Sequence, residues 1–396
     1  MKINYKEIKP DKWLDEMITK SITSGASDIH IEPSQKALLV RFRIDGVLNE
    51  VSSLPLANLN SIISRLKVMA NLDITESRRP QDAHISFSLK TTKLPTQVDL
   101  RLSIFPTIFG EAAVIRILNR QDLLFEKFEN LGINPQKISK LQSVLFKSAG
   151  MILVTGPGGS GKTTTLYTIL NFLKSPQRNL ITLEDPVELH LDGVRQAQIQ
   201  PEVGFGFANG LRSILRQDPN IVMIGEIRDD ETAEIAIRAA LTGILLFSTM
   251  HTTNSVGAIV RFLELGLPRS LVASALRVVI AQRLVRKICP HCKTKARPSG
   301  ASLELAKIAK VHSSKLFQGK GCNFCSQTGY LGRTGIFELM FVNKEIQKLI
   351  IEGAPFTEIE AKAKEDGMQT LQEIATERAL EGVTTLEEII RIAPLD

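Results

Sequence analysis

The chain has 396 residues, enough for about two or three domains that each bury a core. Its 43% hydrophobic and 23% charged residues are typical of a globular protein, and no apolar run approaches the ~18 residues of a membrane-spanning helix. The N-terminus lacks the apolar stretch of a secretory signal, so we expect a cytoplasmic protein. Aromatic residues make up only 5%, which disfavours a base-stacking surface, and the net charge of +7 is modest.

The first part of the chain, residues 1–125, has the mixed pattern of an α/β domain. Apolar residues at helical spacing predict helices near residues 11–23 and 59–70. Alternating polar and apolar residues predict strands, the first at residues 37–44 before the turn pair Asp45-Gly46. Three more strands are predicted, at residues 84–89, 98–104 and 112–118.

Residues 126–135 are polar and turn-rich, which predicts a linker. Beyond it, short apolar runs alternate with helical patterns, as in a parallel α/β sheet. We predict that residues 136–285 form this core, that a four-cysteine segment covers 286–335, and that 336–396 are largely helical. Within the core the predicted elements are strands at 151–155, 180–183, 220–224 and 245–249 and a helix at 163–173.

A glycine-rich stretch, G-P-G-G-S-G-K-T, lies between the first of these strands and its helix. In that setting it predicts a phosphate-binding loop, because glycines let backbone N–H groups face the phosphates and the helix N-terminus adds positive charge. We expect Lys162 to reach the β- and γ-phosphates of ATP and Thr163 to bind Mg²⁺. The residues predicted to bind nucleotide here are Gly156, Pro157, Gly158, Gly159, Ser160, Gly161, Lys162, Thr163 and Thr164.

Carboxylates follow two later strands of the predicted sheet. Glu184, Asp185 and Glu188 come after one strand, and Glu226 comes after four apolar residues that resemble a Walker B strand. The carboxyl ends of parallel strands are site positions, so we expect Glu184 and Asp185 to belong to the nucleotide-binding residues, although such carboxylates also cap helices. His251 ends the next strand, where it is either structural or a sensor of the γ-phosphate.

Taken in order, these motifs resemble the ATPases of type II secretion and type IV pilus assembly, the GspE/PilB type. The resemblance spans nearly the whole chain. It implies a PAS-like N-terminal domain that carries arginines and a RecA-like ATPase core with a zinc knuckle. Besides the segments above, the matching blocks are residues 26–33, 40–46, 78–82, 99–118, 329–338 and 381–385.

The resemblance also implies roles for single residues. Glu188 would be the general base on the attacking water, Glu226 would organise Mg²⁺, and His251 would read the nucleotide state. Arg101 and Arg116 would close on the γ-phosphate, as an arginine finger does. For Arg101, a surface ion pair is the alternative interpretation.

The chain departs from the family pattern at three places. Ile244 lies where the family usually has a second histidine, and Ala83-His84 replaces a usual Gly-Arg pair. These two departures put the hydrolysis rate and intersubunit coupling in question. The sequence also begins almost at the first matching block. We therefore expect no long additional N-terminal domain, and the docking partner stays open.

Four cysteines form two C-x-x-C pairs, Cys289 with Cys292 and Cys322 with Cys325. In a cytoplasmic chain this spacing predicts a structural Zn²⁺ site, with free buried thiols as the alternative. In the family that the chain resembles, such pairs are typical of assembly and secretion motors and are generally missing from pilus-retraction motors. The basic residues near the first pair either offset the thiolates or form a patch for acidic groups; they are Arg283, Arg286, Lys287, Lys293, Lys295 and Arg297.

The sequence thus predicts an ATP-hydrolysing motor, peripheral at the inner membrane and assembled as a hexameric ring. It would move a polytopic inner-membrane platform protein and so drive assembly of a pilus or pseudopilus in secretion, pilus biogenesis or DNA uptake. Three alternatives stay open: a retraction motor, a nucleic-acid translocase on the same core, and a regulatory subunit that hydrolyses poorly. Nucleic acid is not the expected partner.

Overall fold

The structure is a computed structural model that describes residues 9–89, 96–118, 125, 127–296 and 316–392. The chain divides into two compact units, Met1–Asp122 and Leu123–Asp396. The sequence analysis expected an α/β domain followed by a parallel α/β core, and the α/β fold class is confirmed by the elements of both units.

The N-terminal unit is a six-stranded antiparallel sheet with two helices. The strand order is β3-β2-β1-β6-β5-β4, so the chain passes from one edge strand, β3, to the other, β4, and its last strand, β6, pairs with the first, β1. Its elements are α1 (Pro10–Thr23), β1 (Ala26–Pro33), β2 (Leu38–Ile44), β3 (Val47–Leu54), α2 (Leu59–Met69), β4 (Gln81–Leu89), β5 (Thr96–Thr107) and β6 (Gly110–Leu118).

Helices α1 and α2 cover one face of this sheet. Trp13, Leu14, Met17 and Ile18 recur at helical spacing on α1 and are all buried in one hydrophobic cluster with the inward-facing residues of the strands. The opposite face of β5 and β6 is more exposed, because side chains alternate along a strand, and it carries Arg101 and Arg116 together with apolar residues such as Phe105 and Val114.

The second unit is built on a seven-stranded sheet in the order β15-β12-β7-β11-β10-β8-β9. Apart from β15, which is antiparallel to β12, these strands are parallel. The elements up to β12 are α3 (Pro135–Leu145), β7 (Gly150–Thr155), α4 (Lys162–Leu173), β8 (Leu180–Glu184), β9 (Arg195–Gln198), α5 (Phe207–Leu215), β10 (Ile221–Ile224), α6 (Asp230–Leu241), β11 (Leu245–Met250), α7 (Ser255–Glu264), α8 (Arg269–Ala275) and β12 (Leu276–Ile288).

Strand β7 shows why these short strands are apolar along their whole length. Met151 and Leu153 pack into one hydrophobic cluster, whereas Ile152 and Val154 pack into another on the opposite face. A parallel sheet covered by helices on both faces needs such continuous apolar strands. Because the strands are parallel, the residues that follow β7, β8, β10 and β11 meet at one edge of the sheet.

The remainder of the unit consists of a small cysteine-bearing hairpin and a helical tail. Strands β13 and β14 pair with each other, and β15 extends the large sheet. The segment predicted to be helical from residue 336 begins with the end of β15 and becomes helical at Lys344. These elements are β13 (Lys293–Lys295), β14 (Phe317–Gly319), β15 (Tyr330–Phe341), α9 (Lys344–Glu352), α10 (Phe356–Glu365), α11 (Leu371–Leu380) and α12 (Leu386–Ile392).

Candidate nucleotide-binding site and cysteine centre

The predicted phosphate loop connects the central strand β7 to helix α4. Gly161 is the N-cap residue of α4, and Lys162, Thr163 and Thr164 form its first turn. Gly156 has a φ of +149°, and a Cβ atom there would lie 2.5 Å from the Gln282 carbonyl oxygen and 2.7 Å from Ser160 Oγ. The chain therefore needs glycine at this position, both for its backbone conformation and for its close approach to β12.

Lys162 folds back over the loop. Its Nζ donates to the carbonyl oxygens of Gly156 at 2.8 Å and Pro157 at 3.0 Å. Burial lowers the pKa of Lys162; nearby Glu226 opposes this shift and nearby Arg283 adds to it. The lysine is thus a partly desolvated cation beside turned-in backbone amides, which is the environment that a phosphate group fits.

Glu226 and His251 lie together at the carboxyl ends of neighbouring strands, as the parallel order requires. Glu226 Oε2 is 3.7 Å from His251 Nε2, and Glu226 Oε1 accepts a hydrogen bond from Arg228. Burial lowers the pKa of His251, and the nearby Lys162 lowers it further while Glu226 opposes the shift, so the site favours the neutral imidazole. The sequence analysis did not single out Arg228, whose pairing with Glu226 raises its pKa.

Glu184, predicted to bind nucleotide, is 3% exposed and lies at the end of β8. Its carboxylate accepts hydrogen bonds from Tyr167, Thr182 and Gln196. Asp185 and Glu188 follow it on the surface. The backbone N–H of Glu188 donates to Tyr167 Oη at 3.2 Å, so one tyrosine hydroxyl links the buried carboxylate to the candidate base.

Two residues of β12 complete the surroundings of the loop. Gln282 is 2% exposed and its Oε1 accepts from Thr165 Oγ1 at 2.8 Å, which anchors helix α4 to β12. Arg283 lies beside Gly156, with its Nη1 3.2 Å from the position of a Cβ there. The sequence analysis counted Arg283 only among the basic residues near the cysteines, since its position beside the loop depends on pairing between β12 and β7.

Arg101 and Arg116 are brought side by side in the N-terminal unit. They are direct cross-strand partners on β5 and β6, and both side chains are exposed. Arg116 Nε lies 3.0 Å from an oxygen of Asp28, a buried carboxylate that is also 3.5 Å from Arg43. The surface ion pair that was the alternative for Arg101 belongs instead to Arg116. Among the ion pairs of the described residues, none includes Arg101.

The four cysteines converge, as predicted, into one cluster in which all four Sγ atoms lie within 4.8 Å of one another. Three of the Sγ–Sγ separations are 3.8 Å for Cys289–Cys322, 3.8 Å for Cys292–Cys325 and 3.7 Å for Cys322–Cys325. Four sulfurs at about 2.3 Å from one Zn²⁺ would be about 3.8 Å apart, so the cluster fits a tetrahedral metal site. A disulfide would need a separation of about 2.05 Å.

The backbone favours the thiolate of one cysteine of this cluster, Cys325, whereas burial raises the pKa of Cys289 and Cys292. Burial disfavours ionisation of Cys325, but the N–H groups of Cys322 and Gly329 donate to its Sγ at 3.2 Å and 3.3 Å. Their effect prevails and lowers the pKa of Cys325 to about 7. Metal-binding cysteines need this stabilisation because the thiolate is the ligand.

Comparison with known proteins confirms the resemblance on which the residue roles rest. A sequence model of the family described as "Type II/IV secretion system protein" matches residues 6–391. The chain belongs to this family. None of the helices in the described part of the chain has the length and apolar character needed to span a membrane.

Two relatives and one solved structure show the range of the family. The chain is 43% identical over 386 residues to the type IV pilus assembly ATPase PilB of Thermus thermophilus, covering 97% of this chain but 43% of that protein. It is 42% identical over 381 residues to the type II secretion system protein E of Pseudomonas aeruginosa, covering 96% of this chain and 75% of that one. Its structure is similar to the pilus retraction motor PilT with bound ADP, with a TM-score of 0.60, 25% identity and 98% coverage of both chains.

Proposed function

We propose that this chain is an ATP-hydrolysing motor subunit that drives assembly of a pilus or pseudopilus. The observation that carries the proposal is the placement of the phosphate loop, Glu226 and His251 on adjacent parallel strands of one sheet. Membership of the family and 42–43% identity to a pilus assembly ATPase and a secretion ATPase support the same activity.

The residues divide the chemistry as follows. Lys162 and the loop amides hold the β- and γ-phosphates, and Asp185 and Glu184 shape the neighbouring strand end. Thr163 and Glu226 would hold Mg²⁺, which neutralises charge on the transferring phosphoryl group when bound. Glu188 takes a proton from water as the water oxygen bonds to the γ-phosphorus and the bond to the ADP oxygen breaks.

The neutral His251 reports on the same phosphate through Glu226. A neutral imidazole can accept or donate a hydrogen bond. The contact between His251 and Glu226 can therefore change when the γ-phosphate leaves. Arg101 and Arg116 supply positive charge to the γ-phosphate in the assembled ring, the role of an arginine finger. Hydrolysis then weakens the attraction between an arginine-bearing domain and the nucleotide, which converts chemistry into domain movement.

The assembled machine is a hexameric ring, peripheral at the inner membrane, that acts on a polytopic platform protein from the cytoplasmic side. We propose Zn²⁺ as the ion of the cysteine cluster, since four buried or half-buried thiols leave no open coordination position. The cluster favours an assembly motor over a retraction motor, because the family's retraction motors generally lack these cysteine pairs. The lower 25% identity to PilT agrees with this choice.

Phosphate release from the full chain tests the proposal. We expect wild-type protein to hydrolyse ATP and Glu188→Gln to lower kcat by ~10²-fold or more, with ADP affinity changed less than about threefold. Glu202→Gln, an exposed glutamate of the same unit, is the matched control and should leave kcat unchanged. Unchanged turnover in Glu188→Gln would refute the base assignment.

The alternatives predict different results in the same assay. Nucleotide binding without phosphate release by wild type would indicate a regulatory subunit. Several-fold stimulation by single-stranded DNA that declines steeply with salt would indicate a translocase. Stimulation by a polytopic membrane protein of a pilus or secretion system, in detergent or liposomes, is the result expected for an assembly motor.

A further inference from the structure

A short segment, residues 251–255, connects the end of β11 to helix α7 and carries His251. It is held by side chains from two other strands. Nη2 of Arg283, on β12, donates to the Thr253 carbonyl oxygen at 2.6 Å. Its Nη1 donates to the carbonyl oxygen of Gln282, the preceding residue of β12, at 3.0 Å. The guanidinium thus joins the segment to the strand that borders the phosphate loop.

Glu338 of β15 holds the other end of the segment. Its Oε1 accepts from Ser255 N at 2.7 Å and also from Ser255 Oγ, while its Oε2 accepts from Leu371 N at 3.1 Å. The carboxylate is 3% exposed and lies at the first turns of α7 and α11, where helix N-termini stabilise negative charge. Since β12 and β15 pair directly, with Ala281 opposite Glu338, both anchors belong to one antiparallel pair of strands.

Arg283 is half-buried, and no carboxylate of the described residues lies within ion-pair distance of it. Burial lowers its pKa, with Glu338 opposing the shift from further away. A buried guanidinium without a carboxylate partner is costly unless its donors bind other acceptors. Here the acceptors are two backbone carbonyls, one of which belongs to the His251 segment.

We infer that Arg283 is a positioning residue that holds residues 251–255, and through them His251, beside the phosphate loop. The inference deepens the proposed function and rests on it for the catalytic consequence. Arg283 reaches the reaction through Thr253 and His251, so its loss should loosen that segment and slow hydrolysis without removing nucleotide binding. A purely structural role would instead destabilise the whole unit.

Hydrogen exchange in the nucleotide-free full chain tests the positioning directly. We expect Arg283→Gln to raise amide exchange in a peptide covering residues 251–255 by about tenfold, since a charge-assisted hydrogen bond to the segment is lost. Arg283→Lys should restore part of the protection, because a lysine can donate to one carbonyl. Arg277→Gln is the matched control, as Arg277 also donates to backbone carbonyls, at the opposite end of β12.

Exchange that is unchanged in residues 251–255, or raised equally across the unit, would overturn the inference. This readout needs no ATP turnover, so it decides the question even if the wild-type chain fails to hydrolyse ATP and the proposed function is wrong. Where wild type does hydrolyse ATP, Arg283→Gln should lower kcat about tenfold and change ADP affinity less than about threefold. Combined with His251→Ala it should add little further loss, whereas full additivity would show that Arg283 does not act through His251.

Discussion

Tyr167 links the buried Glu184 to the backbone of Glu188, so Tyr167→Phe is expected to damage both stability and turnover. The substitution removes one oxygen from a fully buried side chain and leaves the ring packing intact. Glu184 loses a charge-assisted hydrogen bond, which contributes about 1.5–3 kcal/mol to stability, and the Glu188 N–H loses its acceptor. Burial and the nearby Glu184 raise the pKa of Tyr167, so its hydroxyl stays protonated and can donate at neutral pH.

Chemical denaturation followed by circular dichroism measures the loss, which we expect to be about 2 kcal/mol. Fluorescence of Trp13, the one tryptophan of the sequence, reports the N-terminal unit and provides an internal reference. Tyr330→Phe is the matched control: among the residues that the structure describes, its hydroxyl is hydrogen-bonded to the neutral Thr385 hydroxyl, at 2.8 Å, far along the chain from Glu188. It should cost about 0.5–1.5 kcal/mol and leave kcat unchanged. If Tyr167→Phe matched wild type in both measurements, the proposed link from Glu184 to Glu188 would be wrong.

Four further predictions concern the metal cluster and the charged groups. Cys325→Ser should abolish the binding of roughly one zinc ion per chain, measured by elemental analysis, because three thiolates hold the ion poorly. In Lys162→Gln the pKa of His251, followed by NMR, should rise while staying below the usual histidine value, since a nearby cation is removed but the larger cause, burial, persists. Burial disfavours ionisation of Glu388, but the hydrogen bonds from Arg391 and Arg286 outweigh burial and lower its pKa. Its contribution to the free energy of unfolding should therefore be complete above about pH 4.3, the ordinary pKa of glutamate, and should be lost as pH falls through the lower pKa of the folded state. Unfolding at pH 3–7 should show this slope in wild type and a weaker one in Glu388→Gln. Arg101→Gln should lower turnover ~10³-fold or more while leaving the N-terminal unit as stable or up to ~1 kcal/mol more stable, because it relieves repulsion across the strands.

The phosphate loop and its acidic neighbours could be predicted because their signals are local or follow from parallel strands. The glycine pattern before Lys162 needs only a strand and a helix around it. Glu226 and His251 each follow an apolar strand, and parallel strands bring their carboxyl ends together whichever order they take. The cysteine cluster was predictable for a similar reason, since paired spacing restricts the geometry that four thiols can adopt.

The contacts around Glu184 and Arg283 could not be predicted, because they depend on strand order and on side-chain burial. Glu184 follows the same pattern as the other acidic residues, and only the fold shows that Tyr167 and Gln196 cover it. Arg283 appears in the sequence as a charge that interrupts an apolar run. Its approach to Gly156 arises because β12 pairs with β7 across more than a hundred residues of chain.

In each unit, taken by itself, cationic side chains lie close to one another and share a carboxylate. Lys162 lies near both Arg283 and Glu226, and the Glu226 carboxylate also accepts a hydrogen bond from Arg228. On the N-terminal sheet, a buried Asp28 compensates Arg116 while Arg101 stands beside it. Like charges held this close repel each other, so each unit gains when a polyphosphate approaches. Under the proposed function, cleavage and release of the γ-phosphate would remove part of that gain, and this loss of attraction would couple hydrolysis to movement.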